Sequence, residues 1–330
     1  MERALVTGAD GFVASHLLPE LARETDAALT GVGLKAAPSC SLPSLEYRRL
    51  DLTDFMAVLD LLDTRRPDAV FHLAAQASVA RSWEDPWETY RVNLLGQVNL
   101  LEGLRRMGLK ASVHIACSSE EYGPVSPCQM PLGENTPLNP CSHYAVSKVA
   151  QESLGLMYHR AFSWRVVVTR GFNQAGPGQS PDFVVSSFAR QIALIERGAC
   201  EPVLKVGNLE SRRDFTDVRD TARAYRMVME SGRAGGVYNV CSDKAYRIGD
   251  ILDMLLGLSN SRISVRKDPS RQRPSDVPVL TGNNEMLRRE TGWEPAIPIE
   301  RTLADTLEYW RMKLDEPAEG GGDGQGGEVS

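Results

Sequence analysis

A short apolar run, Ala4 to Val6, ends at Thr7-Gly8; a helical pattern follows from Phe12 to Glu24, and a second apolar run from Ala27 to Val32. A strand, helix and strand joined this tightly pair as parallel neighbours, because the helix returns the chain to the starting end of the sheet. Further strand-like runs at Tyr47 to Leu50, Ala69 to Leu73, Val113 to Ala116 and Arg165 to Thr169 alternate with helical patterns such as Pro86 to Met107 and His143 to Phe162. This alternation predicts an α/β fold, a doubly wound parallel sheet with helices on both faces.

Beyond Gly171 the alternation loosens into a Gly176-Pro177-Gly178 turn and helical patterns near Phe183 to Arg197, Ile248 to Leu258 and Ile299 to Lys313. A strand-like run at Val237 to Cys241 is expected to return to the first sheet. The expected division is a first domain over 1–171 with a returning segment at about 217–242, a smaller α/β substrate-binding lobe from 172–216 and 243–314, and a tail. That tail, 315–330, is glycine-rich and acidic and is expected to be disordered.

Composition removes several classes of function. The net charge is −6 and no Lys/Arg-rich run occurs, so nucleic acid and anionic membrane surfaces are not expected partners. No segment approaches about eighteen uninterrupted apolar residues, and the N-terminal run is too short for a signal peptide; the reading is a cytoplasmic protein. Cys40, Cys117, Cys128, Cys141, Cys200 and Cys241 include no C-x-x-C pair and no histidine at zinc-ligand spacing, so free thiols and no metal are expected.

Gly8-x-x-Gly11-x-x-Ala14 sits where the first strand turns into the first helix, the context a dinucleotide requires. There the first glycine permits a tight turn, the second lets backbone approach a pyrophosphate, and the small third residue lets the helix pack closely. No G-x-x-x-x-G-K-[ST] is present, which argues against triphosphate hydrolysis. The second strand ends in Gly33-Leu34-Lys35 instead of the acid that holds a ribose 2′-hydroxyl; Lys35 can pair with a 2′-phosphate and tilts the choice toward NADP(H) over NAD(H). Asp51-Leu52, after the third strand, is placed to meet an adenine.

"HYAVSK" puts Tyr144 and Lys148 one helical turn apart. A phenol of pKa about 10 is a poor proton shuttle at neutral pH, and a neighbouring ammonium together with a nicotinamide's positive charge would lower it. Ser118, at the end of the preceding strand, can hold the same substrate oxygen. Arg213 and Arg273 offer planar donors to a diphosphate or ribose, Asn173 can orient a hydroxyl or phosphate, and Arg190 can reach phosphate. Asp214 and Asp217 are placed to cap or buttress the Arg213 loop.

With the glycine turn, Ser118-x-x-x-Tyr122-Gly123 and Tyr144-x-x-x-Lys148 in that order, the chain resembles the extended short-chain dehydrogenase/reductases, the NAD-dependent epimerase/dehydratase family. The segments "FHLAAQASV", "NTPLNPCSHYAVSK", "GFNQAGPGQSPDFVVSSFARQIA", "VGNLESRRDFTDVRDTARAY", "YNVCS" and "RQRPSDVP" resemble its branch acting on GDP-linked 6-deoxy-hexoses. The resemblance covers roughly residues 2–313 and implies a Rossmann fold, a homodimer with a four-helix contact, and a triad of Ser118, Tyr144 and Lys148. It further implies that Gly8, Asp10, Gly11, Phe12, Val13, Lys35, Asp51, Leu52, Leu73, Ala74 and Ala75 bind the dinucleotide with Tyr144 and Lys148. Gln76, Ser119, Asn173, Val184, Arg190, Lys205, Arg213 and Arg273 are implied to bind the nucleotide sugar.

Two chemistries fit that branch. Reduction of a 4-keto-6-deoxy sugar to GDP-D-rhamnose or a similar product needs a hydride and the Tyr144 proton; a 4,6-dehydratase also needs a carboxylate base near C5. Glu120 occupies the position of that base, yet "FNQAGPGQ" and "RRDFTDVRD" resemble the reductases, and reduction is the expected reaction. Gln174 and His143 stand where the resemblance leads one to expect His and Pro. A sugar-nucleotide epimerase or decarboxylase, and a catalytically idle dinucleotide-sensing scaffold, are the remaining alternatives.

Overall fold

The computed structural model describes residues 1–271 and 278–315. In chain order the elements are β1 (Arg3–Thr7), α1 (Ala14–Glu24), β2 (Ala28–Gly33), β3 (Leu45–Arg49), α2 (Phe55–Arg65), β4 (Ala69–His72), α3 (Val79–Glu84), α4 (Pro86–Tyr90), α5 (Gly96–Arg106), β5 (Ser112–Ser118) and α6 (His143–Phe162). They continue with β6 (Val166–Gly171), β7 (Asn173–Ala175), α7 (Val184–Glu196), β8 (Val203–Val206), β9 (Arg212–Asp217), α8 (Val218–Ser231), β10 (Val237–Val240), β11 (Ala245–Arg247), α9 (Ile248–Gly257), β12 (Ser264–Lys267), β13 (Val279–Leu280), α10 (Glu285–Thr291) and α11 (Ile299–Asp315).

Seven strands form one sheet in the order β3-β2-β1-β4-β5-β6-β10, and every neighbouring pair is parallel. The chain starts at β1, walks outward to β3, then crosses back to β4 on the other side of β1. This reversal opens a crevice at the carboxyl ends of β1 and β4, where open α/β sheets bind ligands. The expected Rossmann fold is present, and the run at Val237–Val240 returns to the sheet beside β6.

One face of the sheet is covered by α1 and α8, with Leu17, Leu18, Leu21, Tyr225, Val228 and Trp293 in the core. The other face carries α2 and α5 through Val58, Leu61, Leu62, Leu100 and Leu104, with Tyr158 of α6 in the same cluster. A separate core unites α7, α9 and α11 around Phe188, Ile192, Ile251, Leu255, Leu303 and Leu307. Its neighbouring sheet is β11-β9-β13, with β7 also paired to β9, while β8 and β12 pair by themselves. The expected tail lies outside the described residues, save for Asp315, which ends α11.

The pattern over Pro86 to Met107 predicts one helix, whereas the structure has α4, a π-helical turn at Arg91–Leu95 and then α5. Buried Asn93 explains the interruption: its Oδ1 accepts from Gln76 N at 2.7 Å, and its amide donates to Gln76 O at 3.2 Å and Ser147 Oγ at 2.8 Å. The widened turn places that side chain between the loop after β4 and helix α6.

Candidate active site

Three stretches converge at the crevice: the glycine turn after β1, the loop after β4, and the junction between β5 and α6. Gly8 has φ +70°, and a Cβ added there would lie 2.9 Å from both N and Cα of Ala74. Leu73 N donates to Thr7 O at 3.3 Å and Ala74 N to Thr7 Oγ1 at 3.2 Å, so the β4 loop is tied against this turn. Gly11 N donates to Gly8 O at 2.9 Å, and an added Cβ at Gly11 would meet that same oxygen at 3.0 Å. Two backbones thus approach too closely for a side chain, and the result is a cradle fitted to a pyrophosphate at the start of α1.

Asp10, inside that turn, reaches the end of β2. Its Oδ2 accepts Leu34 N at 2.9 Å and Lys35 N at 2.8 Å, while Lys35 Nζ donates to Asp10 O at 3.0 Å. A Cβ at Gly33 would overlap the Asp10 carboxylate, which accounts for the glycine. The acid absent from the β2 terminus in sequence is therefore replaced in space by one from the turn, with the Lys35 ammonium beside it. Phe12 stacks edge-on against His16 at 5.8 Å, and Val13 immediately precedes α1. Ala75 continues the β4 loop.

Asp51 accepts from Thr53 N at 2.9 Å and Thr53 Oγ1 at 2.8 Å, and Arg91 approaches at 3.5 Å. Partial burial pushes its carboxyl up, but these donors outweigh burial and hold it below the ordinary value. Leu52 is buried, with its carbonyl accepting from Asn99 Nδ2 at 2.9 Å.

Ser142 caps α6 by accepting Ala145 N at 3.0 Å, which places Tyr144 in the first turn and Lys148 one turn later, both buried. Lys148 Nζ donates to Ala116 O on β5 at 2.9 Å and lies 5.9 Å from the centre of the Tyr144 ring. Burial lowers the pKa of this amine, opposed by Cys117 and Glu121. The sequence reading has Tyr144 lowered by the ammonium and a nicotinamide; the protein by itself does otherwise. Burial pushes the phenol upward, the Ser118 hydrogen bond opposes this, and the Glu120, Cys117 and Glu121 charges add to the rise. Desolvation penalises the phenolate more than its neighbours stabilise it, so the phenol holds its proton.

The adjacent carboxylates have opposite surroundings. Glu120 is exposed and its charge acts on the Tyr144 phenol. Glu121 is fully buried, accepts Ser118 N at 3.1 Å, and is pushed up to about 8 by burial and by Glu152. Ser119, between them and Ser118, is buried in the 3-10 turn Ser119–Tyr122. Ser118 Oγ accepts Glu120 N at 3.2 Å, which orients the hydroxyl.

The residues expected to meet the sugar nucleotide are more dispersed. Gln76 is occupied internally: its Nε2 donates to Ser78 O and Thr89 Oγ1, both at 3.0 Å. Asn173 opens β7 against Phe215 of β9, and Val184 opens α7. Arg213, on β9, donates to Arg212 O at 2.9 Å and pairs through its backbone with Tyr246 and Leu280. Arg190 lies over the Trp310 ring at 5.7 Å, and Lys205 sits exposed on β8 with its N donating to Gln191 Oε1 at 2.9 Å. These contacts join Arg190 and Lys205 to the α7–α11 and α7–β8 packing rather than to the Ser118–Tyr144 group. Arg273 lies outside the described residues. Asp214, within β9, buttresses the loop after β10 by accepting Ser242 N and Oγ at 2.7 Å, and Asp217 caps α8 by accepting Arg219 N at 2.8 Å.

Sequence reasoning missed Asn93, Glu121, Glu152 and Arg170 as site-forming residues. Only Asn93, set between Val92 and Leu94, interrupts an apolar pattern locally; Glu121, Glu152 and Arg170 have polar neighbours in the chain, and nothing local marks them as buried.

A sequence model of the family described as GDP-mannose 4,6 dehydratase matches residues 5–306. The GDP-6-deoxy-D-mannose reductase of Pseudomonas aeruginosa is 37% identical over 315 residues, covering 96% of this chain and 99% of that enzyme. The solved structure of RMD from Pseudomonas aeruginosa complexed with NADPH matches with a TM-score of 0.84 at 35% identity, covering 95% of this chain and 100% of that one. The UDP-glucose 4-epimerase of Thermus thermophilus in complex with NAD matches with a TM-score of 0.83 at 29% identity, covering 94% and 99%.

Proposed function

Since the chain belongs to the GDP-mannose 4,6-dehydratase family, we propose that it reduces the 4-keto group of a GDP-linked 4-keto-6-deoxy-hexose, forming GDP-D-rhamnose or a similar deoxysugar nucleotide. The observation that carries this reading is a buried, protonated Tyr144 facing Ser118 beside a backbone cradle that only glycine permits. The similarity to a GDP-6-deoxy-D-mannose reductase over 96% of the chain supports the substrate class. Gly8, Asp10, Gly11, Phe12, Val13, Asp51, Leu52 and Leu73 to Ala75 would hold NADPH or NADH, with Lys35 favouring the 2′-phosphate of NADPH. When bound, the reduced nicotinamide supplies the hydride for C4.

Tyr144 donates its proton to the C4 oxygen and Ser118 orients that oxygen. Lys148, anchored to Ala116 O, stabilises the phenolate left behind and grips the nicotinamide ribose. On the sugar-nucleotide side the same reading assigns Ser119, Asn173, Val184 and Arg213, and carries Gln76, Arg190, Lys205 and Arg273 from the sequence resemblance alone; the domain division at 1–171 with 217–242 belongs to it too. Dehydration of GDP-mannose is the second reading, favoured by Glu120, whose exposed carboxylate acts on Tyr144 and could serve as the base at C5.

We place the enzyme in the cytoplasm; no described helix is long and apolar enough to cross a membrane. We also assign it a homodimer, in which exposed Leu95 beside α5 and Val146, Met157 and Phe162 of α6 supply apolar contact. The deciding experiment follows NADPH oxidation with the GDP-linked 4-keto-6-deoxy sugar and identifies products by mass spectrometry and NMR. Stoichiometric oxidation with a deoxysugar product supports reduction; conversion of GDP-mannose without net cofactor use replaces it by dehydration; no turnover of either overturns both.

A further inference from the structure

Behind Ser118, three buried ionisable side chains, Glu121, Arg170 and Glu152, form a chain linking the end of β5, β6 and α6. Glu121 Oε1 accepts Ser118 N at 3.1 Å, and Glu121 Oε2 lies 3.5 Å from Arg170 Nε. Arg170 grips Glu152 through two hydrogen bonds of 2.9 and 2.6 Å and donates to Tyr122 Oη at 3.0 Å. Glu152 stands one helical turn after Lys148 on α6, and the Cys117 thiol approaches Lys148 O at 3.5 Å. Glu152 takes the well-aligned donors of Arg170, and Glu121 Oε2 finds no hydrogen-bond partner among the described residues although it is fully buried.

A buried carboxyl oxygen that meets Arg170 Nε only at 3.5 Å, without a hydrogen bond, is costly if its sole purpose is to cap a turn. Cys117, Glu121 and Glu152 do converge within 4.8 Å. A cation there would compete with Arg170 and Lys148, which already neutralise the cluster. The groups facing Glu121 are Ser118 and Cys117 from β5, Tyr144, Lys148 and Glu152 from α6, and Arg170 from β6.

We infer that Glu121, not its neighbour Glu120, is the positioning residue of the proton-donating pair: through Ser118 on one side and Arg170–Glu152 on the other, it locks the end of β5 to the helix carrying Tyr144 and Lys148, and its charge is felt by both. The inference deepens the proposed reduction and rests on it. Burial and Glu152 raise the Glu121 carboxyl, so its ionisation falls in the working pH range; once ionised it opposes the Tyr144 phenolate and favours the Lys148 ammonium.

The test compares Glu121→Gln, which keeps size and the acceptor for Ser118 N but removes the charge, with Glu121→Ala, which removes both. Glu121→Ala is expected to lower kcat about tenfold with KM for the keto sugar little changed, the size of a lost positioning contact of about 1.4 kcal/mol. Glu121→Gln is expected to alter the alkaline limb of the kcat profile. A readout independent of substrate is the Tyr144 titration, taken as the ultraviolet difference between each protein and the same protein carrying Tyr144→Phe; Glu121→Gln should move it to lower pH. Superimposable Tyr144 titrations with and without Glu121→Gln overturn the inference even if reduction is correct. A shifted titration in a protein that reduces no keto sugar instead leaves the positioning role standing and removes the proposed reaction.

Discussion

Gly8→Ala separates the two reasons for a glycine at the end of β1. The residue has φ +70°, and an added Cβ would meet backbone atoms of Ala74 at 2.9 Å and Leu73 C at 3.1 Å. Gly108, after α5, has nearly the same backbone, φ +64°, with nothing within 4 Å of an added Cβ. Left-handed backbone costs a non-glycine residue about 1–2 kcal/mol, and both variants carry that cost. Only Gly8→Ala adds overpacking, about 1–3 kcal/mol, because carbon atoms prefer separations near 3.5–4.0 Å and the Ala74 backbone is held by Thr7. At about 2 cal/mol/K per residue over roughly 300 residues, the extra loss lowers Tm by about 2–5 °C relative to Gly108→Ala. Calorimetry gives this difference, and NADPH fluorescence gives the binding consequence: at least about tenfold weaker for Gly8→Ala and unchanged for Gly108→Ala. Equal Tm losses, or unaltered NADPH binding by Gly8→Ala, would refute the claim that backbone approach at the strand reversal builds the cradle.

Tyr144→Phe is expected to lose at least about 100-fold in kcat while NADPH binding persists; near-normal turnover would remove Tyr144 as the proton donor. Lys35→Glu should raise the KM for NADPH about tenfold or more and leave that for NADH nearly unchanged, measured by initial rates with each coenzyme; equal changes would detach Lys35 from the 2′-phosphate. Glu121 moves from an ordinary 4.5 to about 8 in the fold, so between those values the native protein holds a proton that the unfolded chain has lost. Stability is therefore greatest below about 4.5, declines as pH rises through about 8 and levels off above it; from about pH 7 to 9 this group removes on the order of 1 kcal/mol. Urea unfolding across that range should show a shallower decline for Glu121→Gln, and parallel curves would contradict a neutral buried acid.

Local patterns determine much of this protein. Apolar runs separated by helical periodicity specify the parallel sheet, Gly8 and Gly11 mark the strand-to-helix turn, and the four-residue spacing of Tyr144 and Lys148 puts both on one face of α6, because each is decided by neighbours in the chain. The residues at positions 120 and 121 show where this reasoning ends. They are chemically identical and adjacent, yet one is exposed and the other buried against Arg170 and Glu152, since the 3-10 turn after β5 points successive side chains in different directions. The π-helical turn around Asn93, the Asp10 carboxylate at the end of β2 and the placement of Arg190 on Trp310 also depend on partners distant in sequence. Sequence alone specified the strands, the glycine turn and the one-turn spacing of Tyr144 and Lys148; only tertiary packing decided which carboxyl is desolvated and which way the Tyr144 pKa moves, because both follow from distances between segments that no local pattern encodes.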